Sequence, residues 1–197
     1  MQAILKLSRR ASYADYLATE QMSERRHEFF DGVIVAMAGG SDEHNALAGQ
    51  LAGILNNRRT GACRYYTPDQ RFWIASSIRA RYADGSIICG APEHPAHDRQ
   101  ATTNPVVVVE VMSPSSEGDD DGDKRLDFQS LASLQAYVLV EQDQRRVKVY
   151  RRQGGEWSVS TYGDGDGFEL PHQSAAIGVG EIYDGILDAT GASLLRA

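Results

Sequence analysis

Apolar residues change their period several times along the chain, and each change marks an element. Ser12 stands three residues before Asp15, a capping-box spacing that predicts a short helix reaching about Met22. The period then falls to two. His27-Glu28-Phe29-Phe30 and Val33-Ile34-Val35-Ala36-Met37 flank Asp31-Gly32, a pair that accepts positive φ, so a hairpin is expected there, closed by Gly39-Gly40. Ser41 followed by Asp42 and Glu43 predicts a second helix, with Leu47, Leu51, Ile54 and Leu55 on its apolar face and Arg58, Arg59 and Gly61 at its end. Strands are expected at Cys63 to Tyr66, Gln70 to Ala75 and Arg81 to Cys89. The stretch from Gly90 to Asn104 has no apolar period and is rich in Pro, His and Asp, as an exposed loop would be.

Pro105 opens Val106-Val107-Val108-Val109-Glu110-Val111-Met112. This run is too short and too β-branched for a helix and apolar on both faces, so it reads as a central strand covered on both sides. Ser113-Pro114-Ser115-Ser116 breaks it, and Glu117 to Asp123 reads as an acidic connection. A helix is expected from about Gly122 to Ser133, with Leu126, Leu131 and Leu134 inward. The strands Ala136 to Glu141, Arg146 to Arg151 and Glu156 to Tyr162 form an antiparallel meander, Gly163 to Gly167 a turn, and Glu181 to Leu187 a last short helix. The expected class is α+β, with one mixed sheet flanked by helices and the meander added to it.

At 197 residues the chain fits one domain of the usual ~100–200 residues. It has no run of about 18 apolar residues, and its first ten carry no stretch long enough for a secretory signal. A cytoplasmic protein without membrane association is expected. Cys63 and Cys89 lie in strand-like segments with no Cys-x-x-Cys or His cluster beside them, and are expected as reduced core thiols. The net charge of -7 argues against a general polyanion binder. Its distribution changes that picture: residues 1 to 82 hold 11 basic and 8 acidic side chains, residues 83 to 197 hold 9 and 19. A nucleic-acid surface would draw on the first part, and the second part invites a cation.

Glu110 carries the most information. A carboxylate inside a valine run that is buried on both faces costs several kcal/mol unless something compensates it. An Arg partner, protonation or a metal ion would each serve. Asp84 is the one carboxylate in another strand-like pattern, where it could share a hard cation with Glu110 or simply form a turn beside Gly85. Lys124 could reach back over the strand ends to orient water and offset phosphate charge, or could be a solvated lysine paired with Asp120 or Asp127. Glu28 is either a third acid of the site or a solvent-facing strand residue, and His44 either touches substrate or lies on a helix surface. Glu117 to Lys124 is not a calcium loop, because aligning Gly122 with the obligatory glycine puts Phe128 where a bidentate Glu is needed. There is no GxxxxGK[ST] or GxSxG motif, and Glu93, His94, His97 and Asp98 read as loop.

Four motifs, in this order and spacing, resemble the Uma family of restriction endonucleases within the PD-(D/E)XK nuclease superfamily. They are His-Glu-Phe-Phe-Asp-Gly-Val-Ile-Val-Ala-Met from His27, Arg-Tyr-Ala-Asp from Arg81, Val-Val-Glu-Val-Met-Ser-Pro-Ser-Ser from Val108, and Lys124 with the strand Ala136 to Val140. The likeness runs from about Tyr13 to Ile186. It implies a restriction-endonuclease-like fold with Asp84 and Glu110 as metal-binding carboxylates, Glu28 as an accessory acid and Lys124 as the catalytic lysine. The chain departs from the pattern twice: Ala83 stands where the family has proline, and Met112 where the superfamily has its lysine, so Lys124 must act from a helix.

The implied activity is Mg²⁺-dependent hydrolysis of DNA phosphodiesters, with Mn²⁺ as a substitute and no organic cofactor. Asp84, Glu110 and the Val111 carbonyl would hold the ion. His44, Arg25, Arg26, Arg58, Arg59 and Arg71 are the candidate nucleic-acid contacts. A homodimer pairing through the meander's edge strands is expected. The rival readings are an inactive dimeric binding or regulatory module, and a metal-dependent phosphodiesterase acting on RNA or a small substrate.

Overall fold

Ser12 opens the chain's first regular element through local chemistry alone. In the computed structural model, which describes residues 10–113, 116–186 and 191–194, its hydroxyl accepts the Asp15 N–H, and the Asp15 carboxylate accepts the Ser12 N–H. This caps α1 (Tyr13–Met22). The strands β1 (His27–Phe30) and β2 (Val33–Ala36) pair antiparallel across Asp31 and Gly32, whose φ values of 53° and 75° are those a type I′ turn needs. Ser41 caps α2 (Asp42–Arg58) by accepting the His44 N–H, and the helix buries Leu47, Leu51, Ile54 and Leu55. β3 (Cys63–Tyr66) follows as expected.

The next segment departs from its expected form. β4 (Arg71–Ile74) is followed by two strands where one was expected: β5 (Arg79–Tyr82) and β6 (Gly85–Cys89). β5 lies between β1 and β4 in a five-stranded sheet, while β6 lies beside β3 in a six-stranded one. The break falls at Ala83–Asp84 because the Asp84 N–H goes to a side chain, Glu110 Oε2, rather than to a ladder. Gly85 sits so close to Tyr65 that a Cβ there would meet the phenol oxygen at 2.6 Å. The presumed exposed loop also holds structure: β7 (Ala101–Thr102) is buried and pairs parallel with β4, and Asp98 is buried beside Arg71.

All eight residues of β8 (Pro105–Met112) are buried. It runs between β6, antiparallel, and β9 (Ala136–Glu141), parallel. On one face Val107, Val109 and Val111 belong to a core with Leu47, Leu51 and Leu55 of α2; on the other Val108 and Met112 pack with Phe72, Phe128 and Leu139. Burying each large apolar side chain contributes about 1.5–3 kcal/mol, so this strand is anchored on both faces. The meander continues through β10 (Arg146–Gln153) to β11 (Glu156–Gly163), which ends the six-stranded order β11-β10-β9-β8-β6-β3. Among the described residues three sheets, of five, six and two strands, replace the single mixed sheet expected, and the class is α+β with mixed sheets flanked by helices.

The acidic connection is partly helical, as α3 (Glu117–Asp120), and the helix after it is shorter than expected, α4 (Asp123–Gln129). Leu126 faces outward at 56% exposure. The buried positions of α4 are Lys124, Asp127, Phe128 and Gln129; the first three are related by the three- and four-residue steps of one helix face, and Leu126 lies off that face. The strands β12 (Gly167–Phe168) and β13 (Ile177–Gly178) lead to α5 (Val179–Tyr183), which begins two residues before the expected helix. The expected roles of residues 1–10 as a leader-free start (through residue 9), of Pro114 and Ser115 as a strand breaker, and of Leu187 in the last helix lie outside the described residues.

The cysteines are not free thiols. Cys63 and Cys89 stand directly opposite in the β3–β6 register and are joined by a disulfide. A separation of 26 residues concealed this pairing in the sequence, because only the antiparallel register puts their side chains together.

Candidate active site

β8 carries Glu110 into the interior, where it is 2% exposed. Its carboxylate and that of Asp84 are cross-tied. Glu110 Oε2 accepts the Asp84 N–H at 3.3 Å, and Asp84 Oδ2 accepts the Val111 N–H at 2.7 Å. A strand residue directs its N–H and C=O to the same edge, so the Val111 carbonyl shares the Asp84 side, while the Met112 carbonyl on the other edge accepts the Gln142 N–H. His44 Nε2, from the first turn of α2, lies 3.1 Å from Asp84 Oδ2. Tyr65 donates its hydroxyl to the Asp84 carbonyl at 3.3 Å.

α4 brings Lys124 over these strand ends. Its Nζ stands 3.0 Å from Glu110 Oε1, 3.4 Å from Asp120 Oδ1 and 4.0 Å from Glu28 Oε1. Lys124 is therefore buried inside a carboxylate cluster rather than solvated. It pairs with Asp120 but not with Asp127, which belongs to Arg79 and Arg81. Glu28 enters from β1, accepting the Tyr82 N–H at 3.0 Å and an Arg81 N–H at 2.9 Å.

Arg81 is the residue that sequence reasoning passed over. It is 1% exposed and binds Asp127, Glu28 and Asp119 at once, with its guanidinium 4.7 Å from the Phe30 ring centre. It stood within the Arg-Tyr-Ala-Asp motif, yet nothing in its neighbours along the chain distinguishes a fully buried arginine from a surface one. Asp120 was equally hidden, inside an acidic run that reads as solvated.

The charges act on one another strongly. Burial raises the pKa of Glu110 well above the ordinary carboxylate value, and the nearby Asp120 and Asp84 push the same way against Lys124. Burial alone would discharge Lys124, but Glu110, Glu28, Asp120 and Asp84 outweigh it and hold the ammonium charged. Burial also opposes charge on Asp84; the hydrogen bond to His44, the charges of His44 and Lys124 and the Val111 N–H overcome it and lower its pKa. His44 is raised in turn, chiefly by its hydrogen bond to Asp84.

These groups line a cleft of about 600 Å³ that takes in Glu28, His44, Asp84, Glu110, Val111 and Lys124. The donors suit a hard divalent cation, being all oxygen: two carboxylates and a carbonyl. Glu110 Oε1 supplies the sharper test. It is fully buried, and the Lys124 ammonium stands 3.0 Å from it. A divalent cation bound by this oxygen would take over the neutralisation that the buried carboxylate otherwise draws from the ammonium.

Of the expected nucleic-acid contacts, only His44 lines the cleft. Arg71 is 4% exposed and committed to Asp98 and Glu20, so it cannot meet phosphate. Arg58 pairs with Glu181, and Arg59 binds Asn56. Both sit at the far end of α2, about 21 Å from His44 at 1.5 Å per residue. Arg25 and Arg26 are exposed just before β1, Arg26 near Asp69. The Glu93–Asp98 group is already engaged: His94 binds the Ala101 carbonyl, His97 packs on Tyr13 and Trp73, and Asp98 holds Arg71.

The model of the Uma2 family, described as putative restriction endonuclease, matches residues 13–177. Two uncharacterised proteins of Synechocystis are similar. One, slr1290, is 32% identical over 177 residues, covering 87% of this chain and 90% of its own; the other, sll1609, is 33% identical over 150 residues, covering 75% and 84%. Among solved structures, a putative nuclease of the DUF820 group from Anabaena variabilis superposes with a TM-score of 0.65 at 16% identity, covering 81% of this chain and 90% of its own, a likeness of fold. Among the described residues no helix is long and apolar enough to cross a membrane.

Proposed function

The chain belongs to the Uma2 family, and from the chemistry of its cleft we propose that it is a Mg²⁺-dependent endonuclease that hydrolyses DNA phosphodiester bonds. The observation that carries this reading is the convergence of Asp84, Glu110 and Lys124 on one cleft, with the two carboxylates cross-tied through the Asp84 and Val111 N–H groups. Asp84, Glu110 and the Val111 carbonyl would hold Mg²⁺, or Mn²⁺ in its place. The bound ion would offset charge on the scissile phosphate and acidify an attacking water.

The chain's own residues do the positioning. Lys124 orients the water and takes up negative charge as the phosphorus–oxygen bond breaks. Glu28, fixed by Arg81 and the Tyr82 N–H, keeps the ammonium in place from 4.0 Å. His44 holds the Asp84 carboxylate by the oxygen that also receives the Val111 N–H. Met112, at the superfamily's usual lysine position, is packed in the apolar core and takes no part. Arg25 and Arg26, exposed ahead of β1, are the remaining candidates for phosphate contact.

We place the protein in the cytoplasm as a homodimer joined through β11, whose outer edge has no partner strand among the described residues. Sedimentation would give the mass directly. For the activity, purified protein is incubated with supercoiled plasmid, a matched RNA and a small phosphodiester, with Mg²⁺ or Mn²⁺. Metal-dependent nicking of the plasmid that disappears in Asp84→Ala is expected. No cleavage, cleavage of RNA or the small ester alone, or undiminished cleavage by Asp84→Ala would reject the reading.

A further inference from the structure

Away from the cleft, a second group of ligand-type side chains lies at the opposite end of the β3–β6 pair. The two sulfurs of Cys63 and Cys89 and a ring nitrogen of His172 all lie within 4.8 Å of one another. Cys63 is buried, Cys89 half-buried and His172 exposed, so the group opens to solvent on one side. His172 comes from a segment more than 80 positions further along, and that segment is fastened in place. Its carbonyl accepts the Thr60 N–H at 2.9 Å, Gln173 bridges to Arg59, and the Ser174 N–H donates to the Arg58 carbonyl at 2.8 Å. His172 holds a φ of 59°, an unusual backbone state for a residue with a side chain.

We propose that, once reduced, Cys63, Cys89 and His172 bind a thiophilic d¹⁰ cation such as Zn²⁺, and that the disulfide is the oxidised, metal-free form of the same site. Two thiolates and one imidazole are ligands of zinc chemistry, with the fourth tetrahedral position left to water. Zinc–ligand bonds of about 2.0–2.3 Å put tetrahedral ligand atoms roughly 3.4–3.8 Å apart. The histidine is therefore within about 1 Å of where it must be. The Cα atoms of Cys63 and Cys89 stand 3.9 Å apart, so the sulfurs must part by rotation of their side chains to reach that spacing. Nothing here depends on the nuclease reading, whose ligands are hard oxygens.

The exchange balances. A dithiol reductant gives two electrons and two protons to the protein disulfide and becomes a disulfide itself; the Cys63–Cys89 sulfur bond breaks and each sulfur gains a proton. Metal binding then releases both protons as the thiolates coordinate. Cytoplasmic thiol systems keep such pairs reduced, so metal would occupy the site there and leave it on oxidation.

Co²⁺ is the probe, since thiolate ligation gives a near-ultraviolet charge-transfer band that carboxylate sites lack. The full-length protein is reduced anaerobically, reduction is checked by thiol titration, and Co²⁺ is added, followed by Zn²⁺. A thiolate band that saturates at one Co²⁺ per chain beyond any ion held in the oxygen-lined cleft, is displaced by Zn²⁺ and is absent from oxidised protein, is expected. His172→Asn keeps a residue tolerant of positive φ and should weaken Co²⁺ binding at least about tenfold, while Cys89→Ser should abolish the band. Thermal melts establish that both variants fold. The proposal fails if the reduced protein shows no thiolate band, if His172→Asn binds as tightly as the parent, or if the disulfide resists excess reductant in the native protein.

Discussion

Replacing Lys124 by methionine keeps the length of the side chain and removes its charge. The Nζ stands 3.0 Å from Glu110 Oε1, an attraction of about 5 kcal/mol at an effective dielectric near 20, set against the desolvation of both ions. Removing one partner of a buried pair leaves the other uncompensated and costs roughly 3–5 kcal/mol. The loss should depend on pH. The folded pKa of Glu110 is raised by burial, so the folded state favours the protonated carboxyl, and stability falls as pH rises through that raised value. Lys124→Met deepens the effect because the opposing ammonium is gone. Urea unfolding followed by the fluorescence of Trp73 and Trp157 should show the larger deficit at pH 8 in EDTA and a smaller one at pH 5. Mg²⁺ should then restore stability to the variant, by about 2.7 kcal/mol at one hundred times its Kd. With the competing ammonium removed, the variant should bind Mg²⁺ more tightly than the parent and yet not cut DNA. A Lys124→Met protein as stable as the parent, indifferent to Mg²⁺, or able to cleave would refute this reasoning.

Three further outcomes are expected. Mg²⁺ binds the charged Glu110 carboxylate, the form that burial disfavours, so affinity measured by titration calorimetry should rise as pH rises toward and through the raised Glu110 pKa. In Glu110→Gln it should be weaker and flat. Arg81→Met strips the shared cation from Glu28, Asp119 and Asp127 and should cost roughly 3–5 kcal/mol in urea unfolding, with plasmid cleavage lost in the molecules that remain folded. Arg58→Ala, at the end of α2 remote from His44, should leave plasmid cleavage within about twofold of the parent, as a surface change distant from the chemistry does.

Where neighbours along the chain decide the structure, the sequence was readable. Ser12 with Asp15, Asp31-Gly32 and the Ser41 cap act over two or three positions, and the valine run of β8 has one reasonable use. Glu110 announced itself because a charge inside that run needs an explanation wherever the rest of the chain goes. The break at Ala83–Asp84 was not readable. Apolar alternation continues across it, and its cause is a hydrogen bond to Glu110 from 26 positions away in sequence. Arg71 and Arg81 looked like surface cations because the acids that bury them come from α1, β1, α3, α4 and the loop before β7. The Cys63–Cys89 bond and the closeness of His172 depend on antiparallel register and on a distant segment. Leu126 was misplaced for a local reason: the helix turns its charged Lys124 and Asp127 inward, toward Glu110 and Arg81, and that rotates the leucine into solvent.

A crystal of the protein soaked in Mn²⁺, measured for anomalous scattering, asks most directly whether Asp84 and Glu110 share a cation. One peak is expected in the cleft, within bonding distance of both carboxylates and the Val111 carbonyl, with Lys124 Nζ moved off Glu110 Oε1. A cleft with no peak, the Lys124–Glu110 contact still closed, or manganese bound only among surface acids such as Glu117 and Asp143, would contradict it.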